Sequence, residues 1–77
     1  MTTRHWVVRG RVQGVNFRAA TRDRARTLGL ECQVWNRDDG GVECVAEGDE
    51  SRLEQLERFL HRGPSLAEVE SVERVSG

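Results

Sequence analysis

Two segments of this sequence have the apolar spacing of an amphipathic helix, and each is flanked by runs that have the composition or alternation of strands. The order along the chain is therefore strand, helix, strand, strand, helix, strand. The predicted elements cover residues 5–9, 17–28, 31–37, 41–47, the stretch between Asp49 and Gly63, and residues 67–75. This order allows both helices to cover one face of a single sheet.

The second helix has the clearest pattern. Asp49 is a suitable N-cap, and Glu50 in the first turn favours the helix dipole. Gly63 and Pro64 predict its end. Its apolar stripe consists of Leu53, Leu56 and Leu60.

The first helix has a narrower stripe, which Arg24 interrupts. The aliphatic stem of Arg24 must therefore lie along apolar surface, or its charge must reach a partner. Gly29 is predicted to take a left-handed conformation that stops the helix, with Leu30 folding back on the last turn. The stripe consists of Phe17, Thr21, Ala25 and Leu28.

Asp39 and Gly40 predict a hairpin between the second and third strands. A two-residue turn would pair Val34 with Val45, whereas an odd-length loop would pair Val34 with Ala46 and keep the apolar residues on one face. We favour the odd-length loop, with the core face of the third strand formed by Val42, Cys44 and Ala46. Either register leaves Cys32 and Cys44 out of direct opposition, which argues against a disulfide.

These elements predict an α+β fold of the ferredoxin-like type, βαββαβ, with a four-stranded antiparallel sheet and two helices on one face. A chain of 77 residues has room for one domain, which we assign to residues 1–77. This fold serves many functions, so function has to be argued from particular residues.

The turn between the first strand and the first helix has the properties of an anion site. No acidic residue occurs between Gly10 and Arg22. Amide N–H groups at a helix N-terminus lack partners, and the helix dipole adds positive potential there. The predicted phosphate donors are the backbone amides of Gln13, Gly14, Val15, Asn16 and Phe17, together with the Arg18 guanidinium. By spacing alone, an ordinary turn with a solvated Arg18 explains the same residues.

The residues themselves are more specific than their spacing. Gly-Arg-Val-Gln-Gly-Val-Asn-Phe-Arg, residues 10–18, resembles the acylphosphatase signature G-x-V-Q-G-V-x-F-R. Asn-Arg-Asp-Asp-Gly-Gly-Val, residues 36–42, with Gly48 after it, resembles the second motif of that family. Both motifs occur in the right order, and the resemblance covers residues 5 to 75.

The resemblance implies a phosphohydrolase that converts small acyl phosphates to a carboxylate and inorganic phosphate, by attack of a positioned water and without metal or cofactor. It implies catalytic roles for Arg18, on the phosphoryl group, and for Asn36, on the water. A side-chain amide can hold a water, although Asn36 alone would equally suit a turn. His5 and His61 lie outside both motifs, and neither is assigned a role.

The sequence departs from the family pattern at three places. Cys32 and Gln33 replace a glycine and an aromatic residue. Trp35 replaces a polar residue, and a bulky side chain next to Asn36 is expected to reshape the pocket wall or the substrate preference. The family's further C-terminal strand is expected to be absent, since no counterpart follows Val75.

The charge balance limits the partners. Twelve basic and thirteen acidic residues give a net charge of −1, which provides no overall field for nucleic acid or an anionic membrane. This balance argues against a nucleic-acid or membrane partner. The resemblance implies an acyl phosphate as the bound small molecule, with inorganic phosphate as product inhibitor. The sequence has no apolar run of membrane-span or signal-peptide length and no metal-spaced cluster, so we expect a cytoplasmic monomer without a metal. An RNA-recognition domain would need aromatic residues on its central strands, and the third strand has none. A catalytically weak binding or regulatory domain of the same fold remains the alternative.

Overall fold

The structure is a computed structural model that describes residues 1–76; Gly77, the last residue of the predicted domain, lies outside the described residues. The sheet has the strand order β2-β3-β1-β4, and every neighbouring pair is antiparallel. The elements are β1 (Thr2–Arg11), α1 (Phe17–Thr27), β2 (Glu31–Asn36), β3 (Val42–Gly48), α2 (Glu50–Arg62) and β4 (Glu68–Ser76).

The core lies between the helices and one face of the sheet. On β1 the side chains of Trp6 and Val8 are fully buried, and on β3 every second residue from Val42 to Ala46 is buried in the same cluster. Alternation places these residues on the face that the helices cover. The helices contribute apolar residues at helical spacing: Phe17, Ala25, Leu53, Leu56, Phe59 and Leu60. The predicted ferredoxin-like α+β fold is confirmed.

Strand β1 is longer than predicted. It begins at Thr2 and ends at Arg11, whereas the apolar run indicated only residues 5–9. The added N-terminal residues pair with β3, beginning with Thr2 opposite Gly48. Their strand conformation depends on this long-range pairing, because the polar residues Thr2 to Arg4 have no apolar alternation to indicate it.

The β2–β3 hairpin has the predicted odd-length loop but a different register. Asn36 pairs with Val42, so the loop comprises residues 37–41, and Val34 pairs with Cys44 and not with Ala46. Two hydrogen bonds within the loop fix its shape. Gly41 donates its N–H to an Asp39 carboxylate oxygen, and Arg37 donates its backbone N–H to the Gly41 carbonyl. These bonds fix a loop that turn propensity alone could not distinguish from a shorter odd one.

The two cysteines are free. They are not directly opposed, as predicted, and their sulfur atoms are 3.6 Å apart across β2 and β3. The buried Cys44 thiol has a raised pKa, caused first by its hydrogen bond with Cys32 and then by burial. Cys44 therefore acts as a small apolar residue of the core.

The helix ends follow the predicted signals. Helix α1 ends at Thr27, one residue earlier than predicted, and Gly29 has a φ of 72°. Leu30 donates its N–H to the Ala25 carbonyl, and Gly29 donates to that of Arg26, which are the two bonds of a Schellman motif. Helix α2 begins after Asp49, whose side chain accepts the Arg52 N–H.

Candidate active site

The loop between β1 and α1 is shaped by two left-handed residues. A bulge at Gly10 (φ 126°), where an added Cβ would overlap the backbone of β4, shifts the register of β1, and the chain leaves the sheet after Arg11. Gly14 (φ 76°) and Asn16 (φ 67°) then fold residues 12–16 into a tight curve. Buried side chains of Val12 and Phe17 anchor its two ends. Such a curve points successive N–H groups towards one point, as in anion-binding nests.

The N–H groups of this loop are available to a ligand. Within residues 1–76, the amides of 13–19 find no acceptor, and the first helical bond runs from the Ala20 N–H to the Asn16 carbonyl. Helix α1 has no acidic residue in its first turn. The positive end of the helix dipole is therefore not neutralised by an acidic residue of its own first turn. The five predicted donors, the amides of Gln13, Gly14, Val15, Asn16 and Phe17, all belong to this segment.

A cleft of about 220 Å³ brings together the two residues predicted to be catalytic. Arg18 lies in the first turn of α1, and Asn36 is the last residue of β2. Arg18 is exposed and forms no ion pair with any residue of the described chain. Among residues 1–76, no carboxylate lines the cleft, whose residues are Val12, Gly14, Asn16, Phe17, Arg18, Ala19, Arg22 and Asn36.

A second guanidinium in the cleft was missed by the sequence analysis. Arg22 lies one helical turn after Arg18, and its Nη2 atom donates to the Val34 carbonyl at 3.4 Å. The spacing of four residues could have indicated it, since residues four apart lie on one face of a helix. With Arg18, it gives the cleft a positive charge that suits a doubly charged phosphoryl group.

The side chain of Gln13 joins the loop to the β2–β3 hairpin. Its Nε2 atom donates to the carbonyl of Arg37 at 2.7 Å and to that of Gly41 at 2.8 Å. From the sequence, only the backbone amide of Gln13 was predicted to take part in the site. The side chain is a positioning group, because it fixes the loop relative to the strand that carries Asn36.

We expect Gln13→Ala to raise KM for an acyl phosphate and to lower the free energy of unfolding by about 1–2 kcal/mol, since two hydrogen bonds are lost. The measurement is steady-state kinetics with a chemical denaturation curve for each variant. Gln33→Ala is a matched control, because Gln33 is exposed on β2. A KM equal to that of Gln33→Ala would show that the loop keeps its shape without the side chain.

Trp35 does not reshape the wall of this cleft. Strand alternation places it on the face of the sheet opposite Val34, where its ring centroid is 6.2 Å from that of His5. It does not line the cleft that contains Arg18. The expectation that Trp35 reshapes this wall was wrong, because adjacent residues of a strand point to opposite faces. An effect of Trp35 on substrate preference stays a prediction, and Trp35 lines a separate cavity together with Asn36.

The carboxylates near the hairpin are paired with basic residues on the same face of the sheet as Trp35. Arg37 and Arg9 donate hydrogen bonds to the Asp39 carboxylate, and they hold its pKa well below the usual range. Glu43 contacts His5 and Arg37, and the His5 hydrogen bond is the largest cause of its lowered pKa. His5 is thus paired away from the loop, consistent with its having no assigned role.

Neither a metal cluster nor a membrane helix is found in the described part of the chain. Residues 1–76 contain no group of three or more His, Cys, Asp or Glu side chains arranged to hold a metal. No helix in the same range combines the length and the apolar character needed to cross a membrane.

A family model, a curated relative and solved structures all relate this chain to acylphosphatases. The family model for acylphosphatase matches residues 4–76. An acylphosphatase of Pseudomonas aeruginosa is 58% identical over 69 residues, which are 90% of this chain and 76% of the relative. The crystal structure of acylphosphatase from Bacillus subtilis superimposes with a TM-score of 0.94 at 36% identity, and the match covers 97% of this chain and 83% of that chain.

An acylphosphatase structure from Coxiella burnetii gives a TM-score of 0.90 at 39% identity, over 97% of this chain and 81% of that one. These similarities extend over both helices and all four strands. Because the family model matches nearly the whole chain and the Pseudomonas relative spans 90% of it, this chain belongs to the acylphosphatase family.

Proposed function

We propose that the amides of residues 13–17 and the guanidinium of Arg18 bind the phosphoryl group of a small acyl phosphate, and that Asn36 orients the water that attacks it. The hydrolysis of acylphosphates is the activity of the family to which the chain belongs. The observation that carries the assignment is the cleft, in which Arg18, the loop and Asn36 meet without any lining carboxylate.

The proposed reaction is a displacement at phosphorus. The water oxygen forms a bond to phosphorus, and the bond from phosphorus to the acyl oxygen breaks with its electron pair. The leaving group is a carboxylate, a weak base that departs without protonation. Both protons of the water stay with the phosphate until it equilibrates with solvent. Such a reaction depends mainly on positioning and on stabilisation of the equatorial oxygens.

Each part of the site matches one requirement of this reaction. Loop amides and the Arg18 fork suit the phosphoryl oxygens, since charge-assisted hydrogen bonds are the strong ones. Asn36 reaches the cleft from β2, and its side chain forms no hydrogen bond to any residue in the range 1–76. Its amide can therefore donate to or accept from a water.

The direct test is phosphate release from benzoyl phosphate in the presence and absence of a chelator. We expect hydrolysis to be unchanged by the chelator, because amides and guanidinium groups supply the positive charge of the site. Activity that disappears with the chelator and returns with a divalent cation would contradict metal independence. No phosphate release under any of these conditions would favour the binding or regulatory alternative.

Inorganic phosphate is expected to bind the loop and to stabilise the fold. A ligand that binds only the native state raises its stability by mass action. In a phosphate titration, the largest backbone amide shifts should fall on residues 14–18, and the melting temperature should rise. Shifts concentrated elsewhere, or none at millimolar phosphate, would contradict this assignment. The same binding would make phosphate a product inhibitor.

The remaining features of the proposal come from the sequence. A single domain over residues 1–77, a monomeric state and a cytoplasmic location stay predictions. Light scattering of the purified chain tests the monomeric state. Imaging or fractionation of a tagged chain in its own cell tests the cytoplasmic location.

A further inference from the structure

A second group of arginines lies between the two helices and contains no partner carboxylate. The basic residues of this chain are all arginines, and six of them form ion pairs within residues 1–76: Arg9, Arg11, Arg26, Arg37, Arg52 and Arg74. Arg24, Arg58 and Arg62 form none within the same residues, although the chain has thirteen acidic residues. They line one cavity of about 200 Å³ with Gln55 and Phe59.

The Phe59 ring holds two of these charges in place. The Cζ atom of Arg24 lies 4.8 Å from the ring centroid, and that of Arg62 lies 5.9 Å from it. Phe59 is only 7% exposed, so the core fixes the ring. Cation–π contacts leave the guanidinium N–H groups free to donate outwards. Arg24, which interrupts the apolar stripe of α1, was predicted to need a partner or an apolar surface for its stem. Its partner is the Phe59 ring and not an acid.

The third arginine completes a positive surface. Arg58 is one helical turn before Arg62, so both heads lie on one side of α2. Glu54 is one helical turn before Arg58, and with Glu57 it lines a separate cavity to which Arg58 also contributes. Within residues 1–76, neither carboxylate forms an ion pair with Arg58. Gln55 adds an amide that can donate and accept hydrogen bonds. The lining of the cavity thus combines three positive charges and several donors, with no negative charge from residues 1–76.

We propose that this cavity is a second anion site, distinct from the catalytic cleft, and that it binds a compact oligophosphate. One phosphate group carries at most about two negative charges, fewer than the three positive charges of the cavity, whereas a chain of neighbouring phosphates can balance all three and offers each fork its own oxygens. Pre-organisation by the Phe59 ring lowers the ordering cost of binding. The site does not depend on the proposed catalytic roles, because it shares no residue with the cleft.

The test is a titration of the full chain with tripolyphosphate, followed by amide and arginine side-chain NMR signals. We expect shifts around Arg24, Phe59 and Arg62, with an affinity that falls as salt is added. Orthophosphate at the same concentration should move these signals less. Because each signal reports its own site, shifts at residues 14–18 are read separately and bear only on the catalytic cleft.

Substitutions distinguish a specific site in this cavity from a non-specific effect of the protein's positive charges. Arg24→Gln and Arg62→Gln should each weaken tripolyphosphate binding by about tenfold, the effect of losing one charge-assisted contact. Arg26→Gln on α1 and Arg52→Gln on α2 are matched controls, since each removes one exposed, ion-paired guanidinium. Equal losses in all four variants, or no shifts between the helices at millimolar tripolyphosphate, would overturn the proposal.

Discussion

Arg18→Ala is expected to lower kcat/KM for benzoyl phosphate by roughly 100- to 1000-fold, the range found when one charge-stabilising donor is removed from an active site. The guanidinium is proposed to contact the phosphoryl oxygens in both the bound substrate and the transition state. Inorganic phosphate should therefore also bind more weakly, by about tenfold or more. Steady-state kinetics with phosphate inhibition measures both effects in one experiment.

Two further variants make the result specific. Arg18→Lys should recover only part of the loss, because an ammonium is a point charge that cannot make a two-pronged contact. Arg26→Ala, on the same helix, should keep full activity, since its guanidinium lies outside the cleft and pairs with Asp23. Thermal melts should be similar for all three, because Arg18 is exposed. If the Arg18→Ala variant is inactive because it is unfolded, the role of Arg18 is structural and not catalytic.

Asn36→Ala is expected to lower kcat by roughly 100-fold, the order of effect that follows from misplacing a reacting group. Its amide is proposed to touch the attacking water and not the bound phosphoryl group. The inhibition constant for inorganic phosphate should therefore stay nearly unchanged, which marks an interaction made mainly in the transition state.

The contrast with Arg18→Ala is the decisive observation. If Asn36→Ala loses phosphate binding as severely as Arg18→Ala, the water-orienting role is wrong and Asn36 is part of the phosphate site. The control is the melting temperature, which should change little because Asn36 is exposed at the end of β2. A large fall would indicate that the residue holds the hairpin and does not act on water.

Features of the fold that depend on nearby residues could be predicted from the sequence. The Asp49 cap, the Gly29 stop and the apolar stripe of α2 each depend on residues within one or two helical turns, and the structure confirms all three. The hairpin loop was predicted to be odd, because only an odd loop keeps Val34 and Cys44 on one face.

The hairpin register is set by bonds inside the loop, such as that between Gly41 and Asp39, and turn propensity does not distinguish odd loops of different length. Other features that the sequence did not reveal depend on residues far apart in the chain. Pairing with β3, for example, extends β1 to Thr2. The same applies to the site. Motifs identified Arg18 and Asn36, but the side-chain role of Gln13 depends on carbonyls 24 and 28 residues away.

The bonds from Gln13 also decide where this chain can accept extra residues. Exposed turns are ordinarily the places where insertions, peptide tags and new chain termini are tolerated. The turn at 37–41 is exposed at its tip, yet the Gln13 side chain donates hydrogen bonds to the carbonyls of Arg37 and Gly41 at its two ends. A residue added between Arg37 and Gly41 would move these carbonyls apart and release the loop that faces the cleft. This exposed turn is therefore an unsuitable position for inserting residues into the protein.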